Sequence, residues 1–302
     1  VRRLSCFVSA FMLAILAACD STPAAGGVNS NGVPNTLRVG IIPNMAPDKQ
    51  SARYAPLQEY LAKRLQAKVE LFVATDYAGV VAALAAKKVD VAYLGGLTYV
   101  QAEAQVDVRP LVTEIDKETG TKEYFSGIVV RGDSSHQTVQ DVVAAKGAFA
   151  FGDVSSTSGS LYPRVMLNAS GADCSRSAID KCPPLGRVSF TGGHDATAQA
   201  VANGSADAGG IEIRILHRME KDGKVPQGRL RVVGSEKVMG YPWVMREELG
   251  DQAGAAIIAA FKEMRDPALL DLMQTSGYQE VTDADYAPVK KHATDLGLLT
   301  RR

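Results

Sequence analysis

The sequence predicts an α/β fold of two lobes, each a sheet covered by helices. Three observations predict it. Short β-branched runs alternate with helical patterns from Leu37 onward, 302 residues leave room for two cores, and two strand-like segments can carry the chain between lobes. Leu37 to Ile42 reads as the first strand. A helix follows from about Tyr54, with Pro56 in its first turn and Leu57, Leu61 and Leu65 on one face. Val69 to Ala74 is a strand, Ala78 to Ala86 a helix and Val89 to Tyr93 the next strand. Further strands are expected at Val108 to Thr113, Phe125 to Val130, Phe149 to Gly152, Arg187 to Phe190, Ala206 to Ile211 and Leu230 to Val233, with helices between most of them. This βαβ rhythm predicts parallel sheets with helices on both faces, and no internal repeat is evident.

The segments Phe125 to Arg131 and Leu230 to Gly234 are the expected crossovers. They divide the chain into a first lobe, residues 37–130 with 238–302, and a second lobe, residues 131–237. Two α/β lobes joined by two crossovers form a hinged cleft, and ligand sits where strand C-termini and helix N-termini face it.

Ahead of the first strand lies a leader. Arg2 and Arg3 precede an apolar run, Leu4 to Leu16, of signal-peptide length and short of the roughly 20 apolar residues that span a bilayer. The run ends in Leu16-Ala17-Ala18-Cys19, which looks like a bacterial lipobox. Residues 1–18 are therefore expected to be a signal peptide and Cys19 the lipidated new N-terminus. Asp20 resembles the inner-membrane retention signal of Gram-negative lipoproteins, so the expected location is the periplasm, anchored to the inner membrane. Residues 19–36, rich in Gly, Pro, Ser and Asn, read as a flexible tether. With 33 basic and 33 acidic side chains the net charge is zero, which argues against nucleic acid as a partner. Cys6 leaves with the leader. Cys174 and Cys182 favour a local disulfide in an oxidising compartment over a zinc site, because no His or third Cys lies near them in sequence.

The most informative segment is Phe149 to Pro163. An apolar strand runs into Ser155-Ser156-Thr157-Ser158-Gly159, which opens a helix carrying Leu161, Val165, Met166 and Leu167. Free backbone N–H groups and the positive end of the helix dipole meet there, and the hydroxyls of Ser156, Thr157 and Ser158 add donors without charge. Helix capping alone explains one such hydroxyl, and three consecutive ones exceed it.

Several motifs in order carry a resemblance. They are Asp76-Tyr77-Ala78-Gly79 before a helix, Val89-Asp90-Val91-Ala92-Tyr93 at a strand, Glu123-Tyr124-Phe125-Ser126 opening another, Ser156-Thr157-Ser158-Gly159, the Gly193-His194-Asp195 turn, and Ala200-Val201-Ala202-Asn203 before Asp207-Ala208-Gly209. From about Leu37 to Leu298 the chain resembles the phosphate/phosphite/phosphonate-binding proteins of ABC importers. The resemblance implies the type II periplasmic binding protein fold, and ligand contacts at Tyr77, Tyr124, Ser156, Thr157, Ser158 and His194. It also implies a permease with its ATPase as partner. No cofactor or metal is expected, and the chain is expected to act as a monomer.

The aminoethylphosphonate binders of that family hold the ligand's ammonium with two carboxylates. One matching position here is the uncharged Tyr241, and the other falls near Glu212 or Arg214. Glu212 is the candidate acceptor for a proton-bearing ligand oxygen. The expected ligand is therefore phosphite, phosphate or a small alkylphosphonate, ahead of aminoethylphosphonate or another oxyanion. The residue types of a hydrolase triad occur in Ser156 or Ser158, His194 and Asp195, but no Gly-x-Ser-x-Gly elbow is present. The four histidines, at 136, 194, 217 and 292, are too scattered for a metal phosphatase, so no enzyme is expected. An anion-sensing lipoprotein feeding a membrane signalling partner is the competing role.

Overall fold

A computed structural model describes residues 27–45, 50–174 and 178–299. The leader, the lipobox and Cys19 lie outside the described residues. Two mixed sheets organise the chain. The first holds β1 (Thr36–Ile41), β2 (Lys68–Val73), β3 (Val91–Tyr93), β4 (Val108–Asp116), β10 (Pro242–Arg246) and β11 (Thr275–Glu280), in the order β11-β4-β10-β3-β1-β2. The second holds β5 (Glu123–Arg131), β6 (Ala148–Phe151), β7 (Arg187–Phe190), β8 (Ala208–Glu212) and β9 (Leu230–Met239), in the order β7-β6-β8-β5-β9.

The sheets are not purely parallel, as the βαβ rhythm predicted. β1 pairs in parallel with β2 and β3, and β6 with β7 and β8. By contrast β10 is antiparallel to β3 and β4, and β5 is antiparallel to β8 and β9. The parallel rule governs a strand that returns to its own sheet over a helix. A strand entering from the other sheet comes in from the opposite end.

Local sequence explains most elements. Leu57, Leu61 and Leu65 are buried along one face of α1 (Gln50–Leu65). That helix begins a turn earlier than expected, so Pro56 sits in its second turn, where it cannot donate to the Ala52 carbonyl. β9 runs to Met239 rather than Val233 because its polar stretch Ser235-Glu236-Lys237 still pairs with β5, on a charged sheet edge. The expected flexible tether stops short of residue 36. Asn29 donates to the Leu65 carbonyl at 2.7 Å and Val33 is wholly buried in the first core, so residues from 27 onward are docked.

The chain passes between the sheets at residues 117–122 and again at 240–241, not at the expected crossovers 125–131 and 230–234, which pair with each other as β5 and β9 inside the second sheet. The two passages lie side by side, with the Gly240 N–H donating to the Lys122 carbonyl at 2.7 Å. A Cβ on Gly240 would stand 2.5 Å from Thr113 Oγ1 and 2.7 Å from that same carbonyl, so glycine is required for the approach. Helices α2 (Tyr77–Ala85) and α3 (Gly96–Glu103) in the first unit, with α5 (Tyr162–Ala169), α6 (His194–Ala202) and α7 (Ile213–Lys221) in the second, carry the residues that face across.

Candidate functional site

The turn after β6 is built by its own hydroxyls. Ser156 caps it, its Oγ accepting from the Gly159 N–H at 3.0 Å, and Thr157–Leu161 wind as a single π-turn before α5. Both the capping and the donor reading of Ser156 are compatible with this geometry, since the hydroxyl proton stays available. The Gly159 carbonyl accepts from the Gly152 N–H at 2.8 Å, which ties the turn to the strand end. A Cβ on Gly159 would meet Ser156 Oγ at 2.9 Å and His194 Cε1 at 3.1 Å, so the turn and the start of α6 are in contact. Thr157 has another task as well: its Oγ1 accepts from the Leu97 N–H of α3 at 2.9 Å, linking the two units.

The other candidates arrive from separate elements. Tyr77 opens α2 behind its cap Asp76, which accepts from Gly79 N–H at 2.7 Å. The Tyr77 N–H donates to Asp153 Oδ2 at 3.3 Å, another link between units. Tyr124 lies on β5, its ring tilted by 39° against that of Tyr241 with centroids 5.4 Å apart. His194 starts α6, and its Nδ1 accepts from the Glu212 N–H at 3.3 Å. Burial lowers the His194 pKa, so the ring is neutral and Nε2 carries its proton as a donor.

Four of the seven buried side-chain polar atoms without a hydrogen-bond partner, among the described residues, belong to this set: Tyr77 Oη, Tyr124 Oη, Ser158 Oγ and His194 Nε2. The Tyr77 hydroxyl neighbours Ser156 and the Tyr124 hydroxyl neighbours Ser158, so the group is gathered in one place. All four residues are at most 2% exposed. Leaving such a group unpaired costs about 1–3 kcal/mol. Their common property is a neutral, directional donor, which is what a small oxyanion requires when it leaves water.

One side of the site is ionic. Glu212 closes β8 and is 1% exposed, which excludes a surface role on α7. Its Oε2 accepts from the Tyr241 hydroxyl at 2.5 Å and lies 3.8 Å from His194 Nε2, while Oε1 is paired with Arg214 Nε. Arg214 also reaches Asp116 at 3.3 Å and lies over the Tyr124 ring, 4.9 Å from its centroid. Behind this group, Tyr93 donates to Glu114, whose carboxyl is pushed up to about 7 by burial. In the sequence Arg214 stands only as an alternative to Glu212, and Glu114, Asp116 and Asp153 carry no local signal. No spacing marks these residues, because the two units bring them together only in three dimensions. Trp243 is wholly buried between Tyr93, at 5.0 Å, and Phe261, at 4.6 Å.

Comparison with known proteins bears on this arrangement. Residues 39–286 match the family described as "ABC transporter, phosphonate, periplasmic substrate-binding protein". The chain belongs to that family. It is 32% identical to the phosphate-import protein PhnD of Mycolicibacterium smegmatis, over 95% of this chain and 94% of that protein. It is 27% identical to a probable phosphite-binding protein, PhnD1, of Prochlorococcus marinus, over 82% of this chain and 81% of that one. The structure of PhnD1 from Prochlorococcus marinus with methylphosphonate superposes with a TM-score of 0.76 at 23% identity, covering 87% of this chain and 98% of that chain. A phosphonate-transporter binding component from Pseudomonas aeruginosa gives 0.75 at 22%, covering 85% of each. At that identity the structures speak for the fold alone. Members of the phosphonate-binding family are periplasmic substrate-binding components of transporters, so the chain is a periplasmic binding protein of the type II fold.

Proposed function

We propose that this protein captures a small phosphorus oxyanion, phosphite, phosphate or a small alkylphosphonate, and delivers it to an ABC permease. The observation that carries this reading is the set of four buried, unpartnered neutral donors contributed by α2, β5, the π-turn and α6. Tyr77, Tyr124, Ser158 and His194 donate to the anion. Ser156 and Thr157 shape the turn and donate where their protons allow. Glu212, held by Tyr241, accepts from a proton-bearing ligand oxygen, which favours a protonated oxyanion over sulfate. The relatives named for phosphate import and phosphite binding take ligands of this class.

Aminoethylphosphonate is disfavoured by a specific observation. Glu212 and Asp116 are both paired with Arg214, so the carboxylates already share a fixed cation. The division of the chain follows the sheets. Because β5 and β9 both belong to the second sheet, one lobe runs over residues 37–116 with 242–302 and the other over 123–239, and the two passages beside Gly240 serve as the hinge. Residues 1–18 are a signal peptide, Cys19 carries the lipid that holds the protein at the inner membrane, and the protein acts as a monomer. Tethering raises its effective concentration at the permease.

Titration of the mature protein with phosphate, phosphite, methylphosphonate, aminoethylphosphonate and sulfate tests this reading. Trp243 fluorescence and thermal shift are the readouts, since a ligand that binds only the native state raises apparent stability. One or more of the first three should bind saturably. Binding confined to sulfate or aminoethylphosphonate would refute it.

A further inference from the structure

Three arginines are buried among the described residues: Arg164, Arg214 and Arg246. Arg214 is paired with Glu212 and Asp116, and Arg246 with Asp90 at 2.5 Å. Arg164 stands apart. It is 1% exposed and takes part in no ion pair with any described carboxylate. Its Nη2 donates to the Ile179 carbonyl at 2.6 Å, its Nη1 lies 3.7 Å from Cys182 Sγ, and its guanidinium covers the Phe151 ring at 4.3 Å from the centroid. Its Nε reaches Ser160 Oγ at 3.4 Å.

Ser160 belongs to the same π-turn as Ser158, and Phe151 ends the strand that feeds that turn. The buried cation therefore sits directly behind the anion-facing loop. A buried charge without a partner is costly, and it persists where a counter-charge repays it. The donors lining the site, Tyr77, Tyr124, Ser158 and His194, are all neutral, and the charge on Arg214 is already matched by two carboxylates. Through a dry interior, attraction between separated charges is weakly screened.

We propose that Arg164 supplies the positive charge that offsets the bound oxyanion, acting through the Ser156–Ser160 turn without touching the ligand. This rests on the oxyanion reading of the site. Arg164 is then a positioning and charge-supplying residue that sets how strongly the protein prefers doubly ionised phosphate, which still bears a proton for Glu212, over the singly ionised form. The Cys174–Cys182 disulfide closes the loop whose Ile179 carbonyl and Cys182 sulfur hold the guanidinium in place.

The test compares wild-type protein with Arg164→Met and Arg164→Lys, each titrated with phosphate below and above its second ionisation, where both ionic forms keep a hydroxyl for Glu212. Arg164→Met should weaken binding of the dianion about 10-fold, equivalent to about 1.4 kcal/mol, and that of the monoanion clearly less. Arg164→Lys, which keeps the charge and loses the fork, should retain the dianion preference. A Ser158→Ala variant should weaken both ionic forms alike, as loss of a single donor does. Equal losses for both forms in Arg164→Met would make Arg164 a structural prop and overturn the proposal, as would unchanged binding. If Arg164→Met fails to fold, loss of the dianion preference in Arg164→Lys overturns it instead. Binding of phosphate, phosphite and methylphosphonate by wild-type protein is measured alongside. Absence of all three would overturn the oxyanion reading and this proposal with it.

Discussion

Tyr124 Oη is buried with no partner, and the protein keeps it there. Removing that hydroxyl should have opposite effects on stability and on binding. Tyr124→Phe deletes an unsatisfied polar atom, so the ligand-free protein should melt higher, by about 2–4 °C for each kcal/mol recovered. The same change should weaken oxyanion binding by about 1–3 kcal/mol. Calorimetric melting with and without phosphate reads both effects, and a lower melting temperature without ligand would count against the donor role. Glu114 gives the second expectation at this scale. Its native carboxyl holds its proton up to about 7, against an ordinary value of 4.5. Unfolding therefore releases a proton between those values. The stability contribution is full below 4.5 and is lost as pH rises through 7, by at most about 3 kcal/mol. Denaturant midpoints measured from pH 4 to 8 should fall less steeply with pH in Glu114→Gln than in wild type. Parallel profiles would show that Glu114 titrates normally.

At the scale of elements, glycine at 240 is forced by geometry. Gly240→Ala would push a methyl against Thr113 Oγ1 and the Lys122 carbonyl, the two walls of the paired passages. We expect a loss of about 1–3 kcal/mol, typical of overpacking, seen as a lower urea midpoint and accompanied by weaker ligand binding. Unchanged stability would mean that the two passages can separate freely. Elements with strong local signals were legible in the sequence. The β-branched core strands, the Leu57-Leu61-Leu65 face and the hydroxyl turn before α5 all stand where periodicity and turn chemistry placed them. The elements read wrongly have physical reasons. The start of α1 lacks an apolar face in its first turn. The second half of β9 is a polar edge strand without alternation, and the antiparallel strands owe their direction to the crossing between sheets. Tyr77, Tyr124, Ser158 and His194 were named from motif order, whereas Arg214, Asp116, Glu114 and Arg164 owe their roles to burial that no local pattern records.

At the scale of the molecule, the site exists because two sheets face each other. Cross-unit bonds fasten it from several directions: Leu97 N–H to Thr157 Oγ1 at 2.9 Å, His194 N–H to the Asn44 carbonyl at 3.2 Å, and the His217–Glu118 contact at 2.8 Å. Only with these in place does the donor from α2 meet those of β5, the turn and the start of α6. The proposed place of the phosphorus oxyanion is among these four neutral donors. A crystal structure of the protein grown with methylphosphonate tests it most directly. We expect a phosphorus centre whose oxygens lie within hydrogen-bond reach of Tyr77 Oη, Tyr124 Oη, Ser158 Oγ and His194 Nε2. Methylphosphonate bound elsewhere, with those four atoms still unpaired, would contradict it.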